Sequence, residues 1–144
     1  VLGRSAMNPT RLAVSLLILR VALAAFLLLF GADKLVATET AVKVFADFYG
    51  LSISISTTYA VGILEILLSL AILAGAWKKI AYGLGLAFHA ISTLVTYEQL
   101  LSPFGDNHLF LAGIPVLAAF IALFLLRRQD TLLSLDAAIH PAQT

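Results

Sequence analysis

Four apolar runs, at about 12–35, 54–76, 80–101 and 109–126, leave this chain few ways to fold. Each meets the roughly 17–25 residues a helix needs to cross the ~30 Å hydrocarbon core of a bilayer. Lipid cannot satisfy an open backbone, so only helices or closed barrels can span it. Hydrophobic residues make up 61% of the 144 positions and charged residues 12%, about half the charged share of a soluble domain. The mean hydropathy of +1.02 agrees. The expected fold is all-α: an integral membrane four-helix bundle forming a single membrane domain over residues 1–144.

Between the first two runs, residues 37–50 are more polar. Val42, Phe45, Ala46 and Tyr49 recur at helical spacing, with Lys43 and Asp47 on the opposite face. This pattern predicts a short interfacial helix, with Thr38 as a candidate N-cap and Gly50 as its stop. Ile53–Ser56 alternates like a strand, but a lone strand is untenable in lipid, so the frayed start of a helix is expected there. Arg4 and Arg11 precede an apolar run at 12–31 that exceeds the ~7–15 residues of a signal-peptide core, so a retained helix is expected. Whether Val1 is the native N-terminus the sequence leaves open. Arg4, Arg11, Lys78, Lys79, Arg127 and Arg128 fall on one side of a four-span topology, against Lys34 and Lys43 on the other. The excess of basic residues predicts that both termini are cytoplasmic. The tail after Gln129 is too short for a domain, with a candidate amphipathic turn at 132–139.

Arg20, Glu65 and His89 lie inside apolar runs, where an ionisable group costs roughly 2.5–3.5 kcal/mol and so needs a partner or a task. Counted from the basic anchors at ~1.5 Å per residue, they lie roughly 14, 20 and 15 Å deep. Their helical stripes carry small and hydroxylated residues: Gly31 and Lys34 with Arg20; Thr58, Gly62 and Ser69 with Glu65; Tyr82, Gly85, Thr93 and Thr96 with His89. Such residues let helices approach closely and hydrogen-bond across the interface. The three ionisable side chains are expected to form one buried cluster. One reading is an Arg20–Glu65 ion pair, joined by His89, that only locks helix packing. The other is a ligand site, for a quinone headgroup, a proton path or an anionic substrate, with Glu65 able to exchange a proton. A second polar group, Lys34, Tyr59, Tyr97, Glu98 and His108 with Asp33, Asp106 and Asn107, is expected at the outer ends. It reads as interface anchors or as a ligand entrance.

Several chemistries find no support. The chain has no cysteine, which removes disulfides, thiol relays and Fe–S ligation. His89 and His108 are expected roughly 18 Å apart in depth and His140 on the opposite side, so no metal site and no intrinsic cofactor is expected. No phosphate-binding loop, dinucleotide fingerprint or nucleophile elbow occurs, and a net charge of +1 gives no reason to expect nucleic-acid binding.

The layout resembles the DoxX family of small four-helix membrane proteins. The likeness rests on Arg20 followed by Gly31-Ala32-Asp33-Lys34, a short amphipathic stretch, Leu64-Glu65-Ile66 leading to Ala74-Gly75, and the basic turn Lys78-Lys79. A Gly- and Ala-rich third helix and a loop with Asn107 and His108 complete it. The resemblance implies a multi-pass protein of a bacterial or archaeal cytoplasmic membrane. Family members include a subunit of thiosulfate:quinone oxidoreductase. Arg20, Lys34 and Glu65 match the family pattern, from which no catalytic role is carried onto them; His89 is not assigned to that pattern. The resemblance implies an accessory or anchoring subunit of a membrane oxidoreductase complex, with a quinone as an associated cofactor and a larger complex or a homo-oligomer as partner. The competing readings are a non-catalytic structural subunit and a small-solute transporter.

Overall fold

A computed structural model describes residues 8–141, and it contains helices and no strand among them. Helix α1, Pro9–Val36, opens with Pro9 in its first turn and with the Asn8 side chain accepting the Thr10 N–H at 3.0 Å. Both features suit a helix start, where N–H groups lack intrahelical partners. It continues to Ala37, which joins it directly to α2, Thr38–Tyr49. Thr38 is therefore not a cap: it is the first residue of α2, and its hydroxyl donates to the Leu35 carbonyl. Gly50, at φ 64°, ends α2 in the left-handed conformation, as the sequence predicts.

Helix α3, Ile55–Ala74, is capped by Ser54, whose hydroxyl accepts the Thr57 N–H, so the alternating 53–56 stretch is a helix entry. Helix α4, Lys78–Val95, starts two residues before the expected span and breaks at Thr96 into a short α5, Tyr97–Leu101. The last apolar run also differs from expectation. Residues Gly105–Ala112 wind as a 3₁₀ helix, and α6 is confined to Gly113–Leu125. Pro115 thus lies in the first turn of α6, where its missing N–H is tolerated. The tail forms a single turn, α7, Leu135–Ile139, capped by Ser134.

Helix α1 packs antiparallel along α3, α4 along α6, and further contacts join α3 to α4 and α1 to α6. The buried stripe of α1 runs through Leu16, Arg20, Leu23, Ala24, Leu27 and Gly31, one face of a 3.6-residue period. Thr58, Gly62, Glu65 and Ser69 face inward on α3, and Tyr82, Gly85, His89 and Thr93 on α4. These are the stripes read from the sequence. Helix α6 buries only Phe120 and Leu123. Gly31 and Gly62 set the spacing of α1 and α3. A Cβ on Gly62 would come within 2.9 Å of the Gly31 carbonyl oxygen, so nothing larger fits without parting the helices.

Pro9–Val36, Ile55–Ala74 and the continuous stretch Gly105–Leu125 are long and apolar enough to cross a membrane. Helix α4 is the least apolar of the four packed helices, because its 18 residues include Lys78, Lys79 and His89. Large apolar side chains such as Ile18, Leu29, Leu64, Leu94 and Leu125 point outward and are more than half exposed. Water-soluble proteins rarely show such continuous apolar surface.

Candidate functional site: an aromatic cavity under helix α2

Helix α2 lies across the end of the packed helices and roofs a cavity of about 440 Å³. The volume falls within the ~300–1,000 Å³ of small-molecule sites. Its walls are mainly aromatic: Phe26 and Phe30 from α1, Phe45 and Phe48 from α2, Phe88 from α4, and Phe110 from the 3₁₀ segment. The Phe26 and Phe30 rings stand 4.8 Å apart, one helical turn from each other. The rings of Phe48 and Phe110, 5.7 Å apart, join α2 to the last apolar stretch. The Tyr49 hydroxyl and Ser92 Oγ, 2.8 Å apart, tie α2 to α4.

Asp33, Ser92, Thr93 and Thr96 add polar groups to this wall, and two further polar features interrupt it. Lys34 Nζ of α1 sits 2.6 Å from Glu65 Oε2 of α3 and also donates to the Phe30 carbonyl at 3.1 Å. The pair is mostly buried, with side chains 15% and 8% exposed, and both residues line the cavity. No other protein group bonds the Glu65 carboxylate among the described residues, which leaves Oε1 without a partner. His89 is held edge-on against Phe26, with ring centroids 5.4 Å apart, and stacked on Phe120 at 5.6 Å. Its Nε2 lies 2.9 Å from the Gly113 carbonyl oxygen. That oxygen can only accept, so Nε2 donates to it, and in the tautomer that makes this bond Nδ1 is the acceptor. The protein gives Nδ1 no hydrogen bond among the described residues. The Thr93 hydroxyl donates to the His89 carbonyl at 2.9 Å.

Arg20 is not part of this site. The expected Arg20–Glu65 pair does not form, and Arg20 does not meet His89. Its Nη1 donates to Asp130 Oδ1 at 2.9 Å, and its Nη2 to the carbonyls of Leu132 and Leu133 at 2.7 and 2.9 Å. The antiparallel packing explains the separation. Along α3, Arg20 lies beside Gly75, where a Cβ would come within 2.8 Å of Nη1, whereas Lys34 lies beside Glu65. Fourteen residues of α1, about 21 Å, part the two levels. Depths counted from flanking lysines and arginines missed this, because the tail folds back over the basic end and buries Arg20. Asp130 is the residue the sequence reading overlooked. It also accepts the Tyr82 hydroxyl at 2.6 Å and is fully buried.

Of the outer-end group, only Lys34 and Asp33 line the cavity. Tyr59 and Tyr97 are exposed, the latter donating to Glu98 at 3.2 Å, and His108 is exposed on the 3₁₀ segment. The aromatic lining was missed as a set, although Phe45 and Tyr49 were read as the apolar face of α2. Its signal was the Phe26/Phe30 pair one turn from Lys34.

Helices of membrane length and apolar composition, packed around a largely apolar cavity, define an α-helical membrane protein. A family model described as DoxX matches residues 15–99, and the chain belongs to the DoxX family. The match takes in α1 to α4, including Lys34, Glu65 and His89, and stops short of α6 and the tail. No curated protein and no solved structure matches the chain.

Proposed function

We propose that this protein is an integral subunit of a membrane oxidoreductase complex and that the cavity under α2 receives a quinone headgroup. Helix α4 serves as the fourth span, packed between α3 and α6, so that both termini share the cytoplasmic side with Arg11, Lys78, Lys79, Arg127 and Arg128. Helix α2 then lies at the opposite interface, and the cavity opens near it. The membrane is a bacterial or archaeal cytoplasmic membrane.

The observation that carries this reading is the pairing of an aromatic slot with a small set of donors and acceptors at one wall. A planar ring fits between Phe side chains by offset or edge contacts. Lys34 Nζ has a third N–H available to a quinone carbonyl, and His89 Nδ1 or Glu65 Oε1 can accept from the hydroxyl of the reduced form. A bound quinone supplies two-electron, two-proton redox chemistry. The protein's own part is to hold the ring, exclude water and offer an acceptor for a proton. The electrons come from a partner subunit of the complex.

Extraction of the purified chain, followed by identification of lipid-soluble ligands and titration with the reduced, quinol form of a short-chain ubiquinone analogue, tests the proposal. His89→Phe keeps a ring between Phe26 and Phe120 but removes Nδ1. Binding should weaken by roughly tenfold, the worth of one hydrogen bond in a buried site. Unchanged binding in this variant, or no quinone binding by the wild type, contradicts the reading.

A further inference from the structure

The opposite end of the molecule carries a second concave feature, of different chemistry. Where α6 stops and α4 starts, a groove of about 1070 Å³ is lined by Lys78, Lys79, Arg127, Arg128 and His140, with Asp136 the acidic residue among its lining. Four cations from two separate segments converge there, and the local acids are already committed. Asp136 accepts the backbone N–H groups of Trp77 and Lys78 at 2.8 and 2.9 Å. Asp130 is taken up by Arg20 and Tyr82. Among the described residues, none of the four cations forms a salt bridge. Arg127 is held over the Phe124 ring at 4.4 Å and donates to the Phe124 carbonyl, while Lys78 Nζ donates to the Asp130 carbonyl. The N-terminus of α4 contributes nothing to anion binding, because Asp136 occupies it. The side chains alone make the field.

The rim of the groove is apolar. Ala137, Ile139 and Pro141 line it, and Trp77, next to Lys78 in the chain, is 73% exposed. Free inorganic anions need no such rim. An amphiphile does: its phosphates meet the cations while its chains lie along Ile139 and the indole ring. Tryptophan and basic side chains together mark the headgroup level of a bilayer.

We propose that this groove binds the headgroup of an anionic phospholipid carrying two phosphates. Two phosphates match two cation pairs, Lys78 with Lys79 and Arg127 with Arg128. Arginine forks engage phosphate oxygens in bidentate fashion, and the lysines add point charges. The site stands apart from the cavity under α2 and does not depend on what that cavity holds.

Native mass spectrometry of the full chain, purified in mild detergent and offered equal amounts of diphosphatidylglycerol and phosphatidylcholine, tests the proposal. Diphosphatidylglycerol should be retained in at least tenfold preference. Lys79→Ala with Arg128→Ala, which breaks no hydrogen bond of the fold, should lower its retention roughly 30-fold, at the usual worth of one interfacial charge each. Lys43→Ala, a charge removed at the opposite end, should leave retention unchanged. Equal loss in both variants would mean a general charge effect and overturn the site. Displacement of the lipid by millimolar inorganic phosphate would assign the groove to a free oxyanion and overturn the lipid. Full retention in the Lys79/Arg128 variant overturns the proposal outright.

Discussion

Helix α1 carries two inward-facing cations, one buried and one half-buried, and the protein treats them differently. Arg20 is enclosed: an aspartate and two backbone carbonyls take up its guanidinium, Tyr82 braces the aspartate, and none of the residue is exposed. Only Nε is left without a partner. Lys34 is half-open: its carboxylate partner keeps one oxygen unbonded at the wall of a cavity. A network enclosed in this way presents no atom to a ligand, so its role is to fix where the tail sits. An unsaturated pair beside an aromatic slot can still bind something. The same helix thus supplies a fastener at one end and a candidate site at the other.

The sharpest way to break this contrast is to open the fastener. Asp130→Ala leaves the Arg20 guanidinium buried without its anion, and such a loss costs about 3–5 kcal/mol. The midpoint of thermal unfolding in detergent should fall markedly, while ligand bound per folded molecule stays the same. A change at the helix seam should act on both regions. Gly62→Ala drives a methyl toward the Gly31 carbonyl and the Lys34 Cβ, each at 2.9 Å. Overpacking of this kind costs about 1–3 kcal/mol, and the displaced Lys34 should weaken ligand binding as well.

The site itself should respond in the reverse sense. Glu65→Gln keeps an acceptor for Lys34 but removes the charge. Its effect on the unfolding midpoint should be smaller than that of Asp130→Ala, and its effect on ligand affinity larger. The smallest change expected is Tyr49→Phe, which unties α2 from Ser92 at a cost of about 0.5–1.5 kcal/mol. Hydrogen exchange of the α2 amides should rise in this variant, with the midpoint almost unmoved.

The elements were legible because their signals are local. Apolar runs, the Gly50 stop, and the inward stripes of α1, α3 and α4 follow from spacing that any helix imposes. The partners of the ionisable residues were not legible, because they depend on register between distant segments. Arg20 and Asp130 are 110 positions apart, and nothing local to either announces the other. The lysine that meets Glu65 was already on the correct stripe beside Gly31, facing Gly62. The Gly31–Gly62 contact fixes that register, and its consequence is the Lys34–Glu65 pair. The start of α6 was missed because composition alone does not separate a 3₁₀ stretch from an α-helix at 105–112.

The most direct measurement compares quinol affinity in two variants drawn from the two ends, Glu65→Gln and Tyr82→Phe, each referred to folded protein. Selective weakening in the first, with wild-type affinity in the second, is the predicted result. Equal affinities in both variants and the wild type would contradict the assignment of the ligand site to the half-open pair.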